Sequence, residues 1–240
     1  MTSTDFSLQA LARVRGVLFD LDGTLYHQDP VRRRMALELI LLPIRSLSPS
    51  KTRRVWSHIK GYRRLHERMR DMGHAEVSLR ELQVSETARQ LGVDVAEVDA
   101  TVSEWMIQRP LPFIARAVRA DLGALLDYLT GGDLALGVLS DYPVEEKLRA
   151  MGIRERFSLA LCSSDTQINA LKPNPRGLHH ARAQWGLEPE EVLYVGDRAD
   201  VDAGAARAAG MPCAIISSSA GDEWTFPSMN ALQRAFEAQR

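Results

Sequence analysis

Cysteine is scarce: Cys162 and Cys213 are the two in 240 residues. Each sits in an apolar run, so both read as buried thiols rather than a disulfide framework. That fits a reducing cytoplasm. Long hydrophobic runs are missing too. The longest strongly apolar stretch, Met35 to Ile44, is interrupted by Glu38 and falls short of the roughly 20 residues that span a bilayer. The N-terminal stretch carries an early Asp5 and no apolar signal core. Neither sign of charge is in excess, since 30 Lys+Arg face 31 Asp+Glu. A generally basic nucleic-acid binder is therefore not expected. Internal repeats and low-complexity segments are also lacking. The chain does have 45% hydrophobic and 25% charged residues, as a soluble globular protein does and a disordered one does not. Its length suits one large domain or a domain with an inserted module.

The neutral total hides a division. Residues 31–70 hold twelve basic and two acidic residues, a charge of +10, and the remainder carries −11. Arg32, Arg33 and Arg34 open the basic stretch, and Arg63, Arg64, Arg68 and Arg70 close it. A solvated helix face is the plain reading of such a run. It could also steer an anionic substrate. It could touch an anionic membrane, with Met35–Ile44 as an apolar patch. Trp56 and Tyr62 lie among the charges, but no recognition motif supports nucleic-acid binding.

Short Val-, Ile- and Leu-rich runs predict strands at Val14–Phe19, Leu134–Leu139, Leu159–Cys162, Val192–Val195 and Cys213–Ile216. Helical patterns between them cover Pro143–Met151, Arg176–Trp185 and Val201–Ala209, each followed by glycine. Alternating strands and helices predict an α/β fold with a parallel sheet. About a hundred residues separate Phe19 from Leu134, too many for one crossover helix. This insert reads as helical. Val55, Ile59, Tyr62, His66 and Met69 recur at helical steps. Asp94 and Glu97 resemble a capping box before a helix from Val95 to about Ile107. Phe113–Leu129 predicts a further helix. The expected division is a core of residues 1–29 and 118–240 and a helical insert of residues 30–117.

Several predicted strands lead into polar residues. The first runs into Asp20-Leu21-Asp22-Gly23-Thr24, the second into Ser140, and the fourth into Gly196-Asp197 with Asp200 and Asp202 following. Lys172 lies in the loop Lys172-Pro173-Asn174-Pro175 after the third. In a parallel sheet these positions converge at the carboxyl edge. Carboxylates with one ammonium and one hydroxyl suit a hard cation together with an anion such as phosphate. A carboxylate such as Asp20 could attack phosphorus. Asp22 could exchange protons with the leaving oxygen and with water. Ser140 and Lys172 could hold the transferring oxygens.

These motifs, in this order, resemble the haloacid dehalogenase (HAD) superfamily, in its phosphoglycolate-phosphatase-like branch with a helical cap after the first motif. Lys147-Leu148-Arg149-Ala150-Met151-Gly152 and Ala208-Ala209-Gly210-Met211 also resemble it. The resemblance covers residues 13–30 and roughly 118–216; the insert matches in position and helical character alone. It implies a Rossmann-like core and a Mg2+-dependent phosphatase acting on a small-molecule or lipid phosphomonoester. Asp20 would be the nucleophile, Asp22 the acid/base and Lys172 a further catalytic group. Ser140, Thr24 and Lys172 would bind phosphate. Asp20, the main-chain carbonyl of Asp22, Asp197 and Asp202 would bind the metal. Asp200 lies two residues too early for that role. Asp141 and Arg198 stand where many relatives carry other residues. A dehalogenase would typically lack the second Asp, so Asp22 argues against that reaction. Two alternatives remain open. A phosphomutase shares every motif. A non-catalytic module on the same scaffold would bind anionic membranes or a partner through its basic segment.

Overall fold

The computed structural model describes residues 8–46, 48–219 and 224–239. Six parallel strands form one sheet in the order β3-β2-β1-β4-β5-β6. They are β1 Gly16–Phe19, β2 Ala135–Ser140, β3 Leu159–Cys162, β4 Val192–Gly196, β5 Cys213–Ile216 and β6 Thr225–Phe226. Val17, Leu18 and Phe19 are fully buried, which explains the unbroken apolar run of a strand covered on both faces. The chain builds outward from β1 to β2 and β3, then returns to place β4 on the other side of β1. That reversal opens a crevice at the carboxyl ends of β1 and β4. The fold is the expected Rossmann-like α/β core. The pairing of β6 onto β5 was not foreseen, because two residues carry no periodicity.

Among the described residues six α-helices lie between β1 and β2, and the first five are α1 Gln28–Ser46, α2 Pro49–Met69, α3 Leu79–Leu91, α4 Val95–Val102 and α5 Leu111–Ile114. The α2 stripe is buried as expected, and His58 and Leu65 join it. Ser48 caps α2, its Oγ accepting the Lys51 N–H at 3.4 Å. Asp94 caps α4 by accepting from the Ala96 N–H at 2.7 Å. Glu97 pairs instead with Arg54 on α2, at 2.9 Å. A π-helical stretch, Ser103–Gln108, continues α4.

The helix expected over Phe113–Leu129 is broken. It divides into α5 and α6 Leu122–Gly131. Between them the chain recrosses its own exit path. Tyr26 bridges Val118, the His27 N–H bonds the Ala117 carbonyl at 2.9 Å, and Arg119 holds the carbonyls of Gly23 and Thr24 at 2.8 Å. An apolar pattern cannot reveal such a crossing, because it is made by residues about ninety positions apart.

The remaining helices are α7 Glu145–Ala150, α8 Arg176–Trp185, α9 Gly204–Ala209 and α10 Met229–Glu237. A π-helical turn, Ala199–Ala203, precedes α9. The helical segment also rests on the loop after β3. Asn169 Nδ2 donates to the Ala75 and Val77 carbonyls, and its Oδ1 accepts the Leu79 N–H. Leu171 packs with Leu65, Met69 and Leu79. Among the described residues, no helix is long and apolar enough to cross a membrane.

Candidate active site

The carboxyl ends of β1 and β4 bring Asp20 and Asp197 together. The Asp20 N–H bonds the Val195 carbonyl at 2.8 Å, which extends the ladder one residue beyond the strand. Two glycines permit the approach. A Cβ on Gly23, whose φ is +105°, would lie 2.2 Å from Asp197 Oδ2. One on Gly196 would lie 2.4 Å from Asp202 Oδ2. The π-helical turn carries Asp202 back under the loop, where its Oδ2 accepts the N–H groups of Asp197 and Arg198 at 3.1 and 3.0 Å.

Lys172 joins these acids. Its Nζ donates to Asp20 Oδ1 at 2.6 Å, Asp202 Oδ1 at 2.7 Å and the Tyr194 hydroxyl at 2.9 Å. Burial works against the ammonium, but Asp20, Tyr194 and Asp202 outweigh it and keep Lys172 protonated. Two carboxylates bond this cation directly, and a third, Asp197, lies beside them. Burial, with the charges of Asp202 and Asp197, pushes the Asp20 carboxyl up to about 8 despite Lys172. Burial and Asp202 likewise raise Asp197 to about 6. Thr24 Oγ donates to Asp20 Oδ2 at 3.0 Å.

Asp20, Asp197 and Asp202 each present one oxygen, all within 4.8 Å of one another. Crowded, partly uncompensated carboxylates of this kind fit a hard divalent cation, which would remove their mutual repulsion.

Asp22 stands apart from this triad and forms a second centre. Lys147 Nζ reaches both of its oxygens, at 2.7 and 2.6 Å. Ser140 Oγ donates to Oδ2 at 3.3 Å, and the Tyr26 hydroxyl donates to Oδ1. Burial pushes the Asp22 carboxyl up, but Lys147, Tyr26 and Ser140 together hold it below the ordinary range. The resting group is therefore a carboxylate, ready to accept a proton.

Residues 14–210 match the model of the haloacid dehalogenase-like hydrolase family. The chain belongs to this family. It is 30% identical to a phosphoglycolate phosphatase of Salmonella choleraesuis, over 85% of this chain and 82% of that one. It is 29% identical to a glyceraldehyde 3-phosphate phosphatase of Methanopyrus kandleri, over 82% of each. Among solved structures, the 2-haloacid dehalogenase of Pseudomonas syringae pv. Tomato DC3000 superposes with a TM-score of 0.66 at 21% identity, over 95% of this chain and all of that one. That last likeness concerns the fold.

In this HAD-like hydrolase every expected site residue lies at one edge of the sheet, divided between the two centres. Asp20, Thr24, Lys172, Asp197 and Asp202 make the first; Asp22 and Ser140 make the second. Asp200 is exposed and pairs with Arg198 at 2.7 Å, outside the triad. His27 is exposed, and His179 and His180 lie on α8 away from the site. Cys162 is buried and Cys213 half-buried, and no disulfide joins them.

Four partners of the site were not anticipated: Tyr26, Arg70, Lys147 and Tyr194. Tyr26 stands four residues after Asp22, and Tyr194 is the polar-tipped member of an aliphatic strand; both were weak signals. Lys147 opens the run Lys147-Leu148-Arg149-Ala150-Met151-Gly152, and nothing local to that run points to Asp22 as its partner. Arg70 explains the unusual Asp141. Its Nη1 donates to Asp141 Oδ2 at 2.5 Å and to the Lys172 carbonyl at 2.7 Å. Asp141 Oδ1 also accepts from Ser163 Oγ at 2.7 Å and the Lys172 N–H at 3.2 Å. Asp141 thus ties the helical segment to the loop that carries Lys172. A cavity of about 330 Å³ lies between the two regions and reaches both centres.

Proposed function

We propose that the hydrolase is a Mg2+-dependent phosphatase that cleaves a phosphomonoester through an aspartyl-phosphate on Asp20. The observation that carries this reading is Lys172, bound at once to Asp20 and Asp202 beside Asp197. That grouping offers a nucleophile, a fixed cation and a ligand set for a second, mobile cation. The similarity to two named phosphatases supports the same reading.

Asp20 would attack phosphorus as the ester P–O bond breaks. Mg2+ held by Asp20, Asp197, Asp202 and the Asp22 carbonyl would offset the charge of a phosphoryl group among carboxylates. Lys172 would neutralise charge on the transferring oxygens, and Ser140 and Thr24 would orient them. The departing alkoxide needs a proton, and Asp22 is the group assigned to give it. Its resting state is ionised, so it must take up that proton as the anionic substrate arrives; a nearby negative charge favours this. Asp22 would then accept a proton from water, which attacks the aspartyl-phosphate and releases inorganic phosphate and free Asp20. A halide leaves without needing a proton, so the elaborate setting of Asp22 favours phosphoester chemistry over dehalogenation.

Residues 30–117 are assigned as a cap that excludes bulk water from the cavity, and residues 1–29 and 118–240 as the catalytic core. The test is a phosphoester panel with and without Mg2+, combined with acid trapping of the phosphoenzyme. The expected result is Mg2+-dependent phosphate release and a trapped adduct that Asp20→Asn abolishes while the fold is retained. Full activity of that variant, with no reversion by deamidation, would sink the mechanism. Isomerised sugar phosphate in place of free phosphate would identify a phosphomutase.

A further inference from the structure

The cavity has two chemically different ends. One holds the carboxylates, Lys172 and Ser140. The other is walled by Met35 and Leu39 of α1, Ile59 of α2, Trp105 and Met106 of the π-helical stretch, and Ile114 of α5. Ile59, Trp105 and Ile114 are buried, and most of this wall belongs to one apolar cluster with Leu42 and Val55. The π-helical turn at Ser103–Gln108 brings two successive large side chains to the cavity, which π-bulges often do at binding sites. Gln28, Arg32, Arg63 and Arg198 also line the cavity, so this apolar wall forms one side of it and offers an alkyl chain a continuous surface.

The mouth of the cavity is amphipathic. On α1, Leu37, Ile40 and Ile44 recur at helical steps and share a face with Arg33. Ile40 and Ile44 are 69% and 72% exposed. Ala36, one turn before Ile40, is exposed and lines the cavity, so the stripe runs along its edge. On α2, Trp56 is 56% exposed and also lines the cavity. Arg53, Lys60 and Arg63 lie on the same exposed side of that helix. Arg32, Arg33, Arg53, Lys60, Arg63 and Arg64 have no ion-pair partner among the described residues. Exposed apolar side chains set among unpaired cations match the chemistry of an anionic bilayer surface.

We propose that the substrate is a lipid phosphomonoester drawn from an anionic membrane, its phosphoryl group at Asp20 and its apolar chain along the α1–α2–α5 wall. This rests on the phosphatase reading and narrows it. The notion of membrane contact gains a purpose, because the same helices form the docking face and the chain-binding wall.

The experiment compares kcat/KM for phosphoglycolate, glyceraldehyde 3-phosphate and alkyl phosphates of increasing length. It is run with sedimentation on phosphatidylcholine vesicles with and without phosphatidylglycerol. The expected rise is about fourfold for each buried methylene until the wall is filled. Binding should require the anionic lipid and weaken with salt. Met35→Gln with Leu39→Gln should flatten the ratio of long-chain to short-chain kcat/KM, a ratio that partial misfolding leaves unchanged. Ile40→Glu with Ile44→Glu, at exposed positions, should lower vesicle binding at least tenfold. A flat chain-length series on an active enzyme overturns the proposal. A steep series without vesicle binding also overturns it and points to soluble alkyl or aryl phosphates. Absence of turnover on every phosphoester refutes the phosphatase reading itself, which is a separate failure.

Discussion

Lys172 and Arg64 are both cations, yet their surroundings differ in kind. Lys172 is 3% exposed and held by two carboxylates and a phenol from distant parts of the chain. Arg64 lies exposed on α2 with no ion-pair partner among the described residues. The contrast extends to their regions. Core charges at the sheet edge are buried, convergent and mutually dependent. The charges of α1 and α2 are largely separate and solvated. Burial makes each core charge indispensable to its neighbours, whereas screening makes each surface charge replaceable.

Removing Lys172 gives the sharpest test of that contrast. Lys172→Met should abolish turnover and destabilise the fold by about 3–5 kcal/mol at neutral pH, as expected when a buried pair loses one partner. The loss should be smaller at pH 5 than at pH 8, because Asp20, pushed up to about 8, is protonated at the lower pH and needs the cation less. Denaturant melts at both pH values would measure it, and an equal loss at each would break the interpretation.

Lys147→Met ranks next. Asp22 would lose the cation that holds it ionised, so its carboxyl should rise. The kinetic limb that reports Asp22 should move to higher pH, and kcat should fall roughly 10²-fold, the scale of impaired acid–base catalysis. An unshifted pH profile would show that Lys147 only packs.

The metal-free protein should respond to pH in a defined direction. Folded Asp20 and Asp197 titrate at about 8 and about 6, above their ordinary value of 3.8. Between about pH 4 and 8 the folded state therefore holds protons that the unfolded chain has released, so stability falls as pH rises. Adding Mg2+ should raise Tm, and by more at pH 8 than at pH 5, because the ion competes with those protons. Thermal melts with Mg2+ and with chelator would check this; a Mg2+ effect independent of pH would contradict it.

The smallest effects compare two arginines of one helical segment. Arg70→Ala leaves the buried Asp141 short of a partner and should cost about 1–3 kcal/mol. Arg64→Ala should cost about 0.5 kcal/mol or less. Equal costs would mean that the Arg70–Asp141 contact does not tie the two regions together.

Much of the core was legible because strand runs, helix-stopping glycines and the polar residues after each strand are local features. Strands β1 to β5 fell where apolar runs placed them, within one or two residues at their ends. The break between α5 and α6 was hidden, because Tyr26, His27 and Arg119 impose it through the crossing rather than through any local pattern. The partners of the site were hidden for a related reason. Lys147 meets Asp22 across 125 positions, and Arg70 meets Asp141 across 71.

The amino-acid sequence by itself determined the α/β class, the motif order, the family and the acids that gather at one edge. Those follow from local propensity and from the geometry that any parallel sheet imposes on its strand ends. Tertiary structure alone decided which charges became partners. It placed the triad around Lys172, gave Asp22 its own cation in Lys147, and set an apolar wall opposite them. Such pairings depend on distances between residues far apart in the chain, and no periodicity along the chain encodes them.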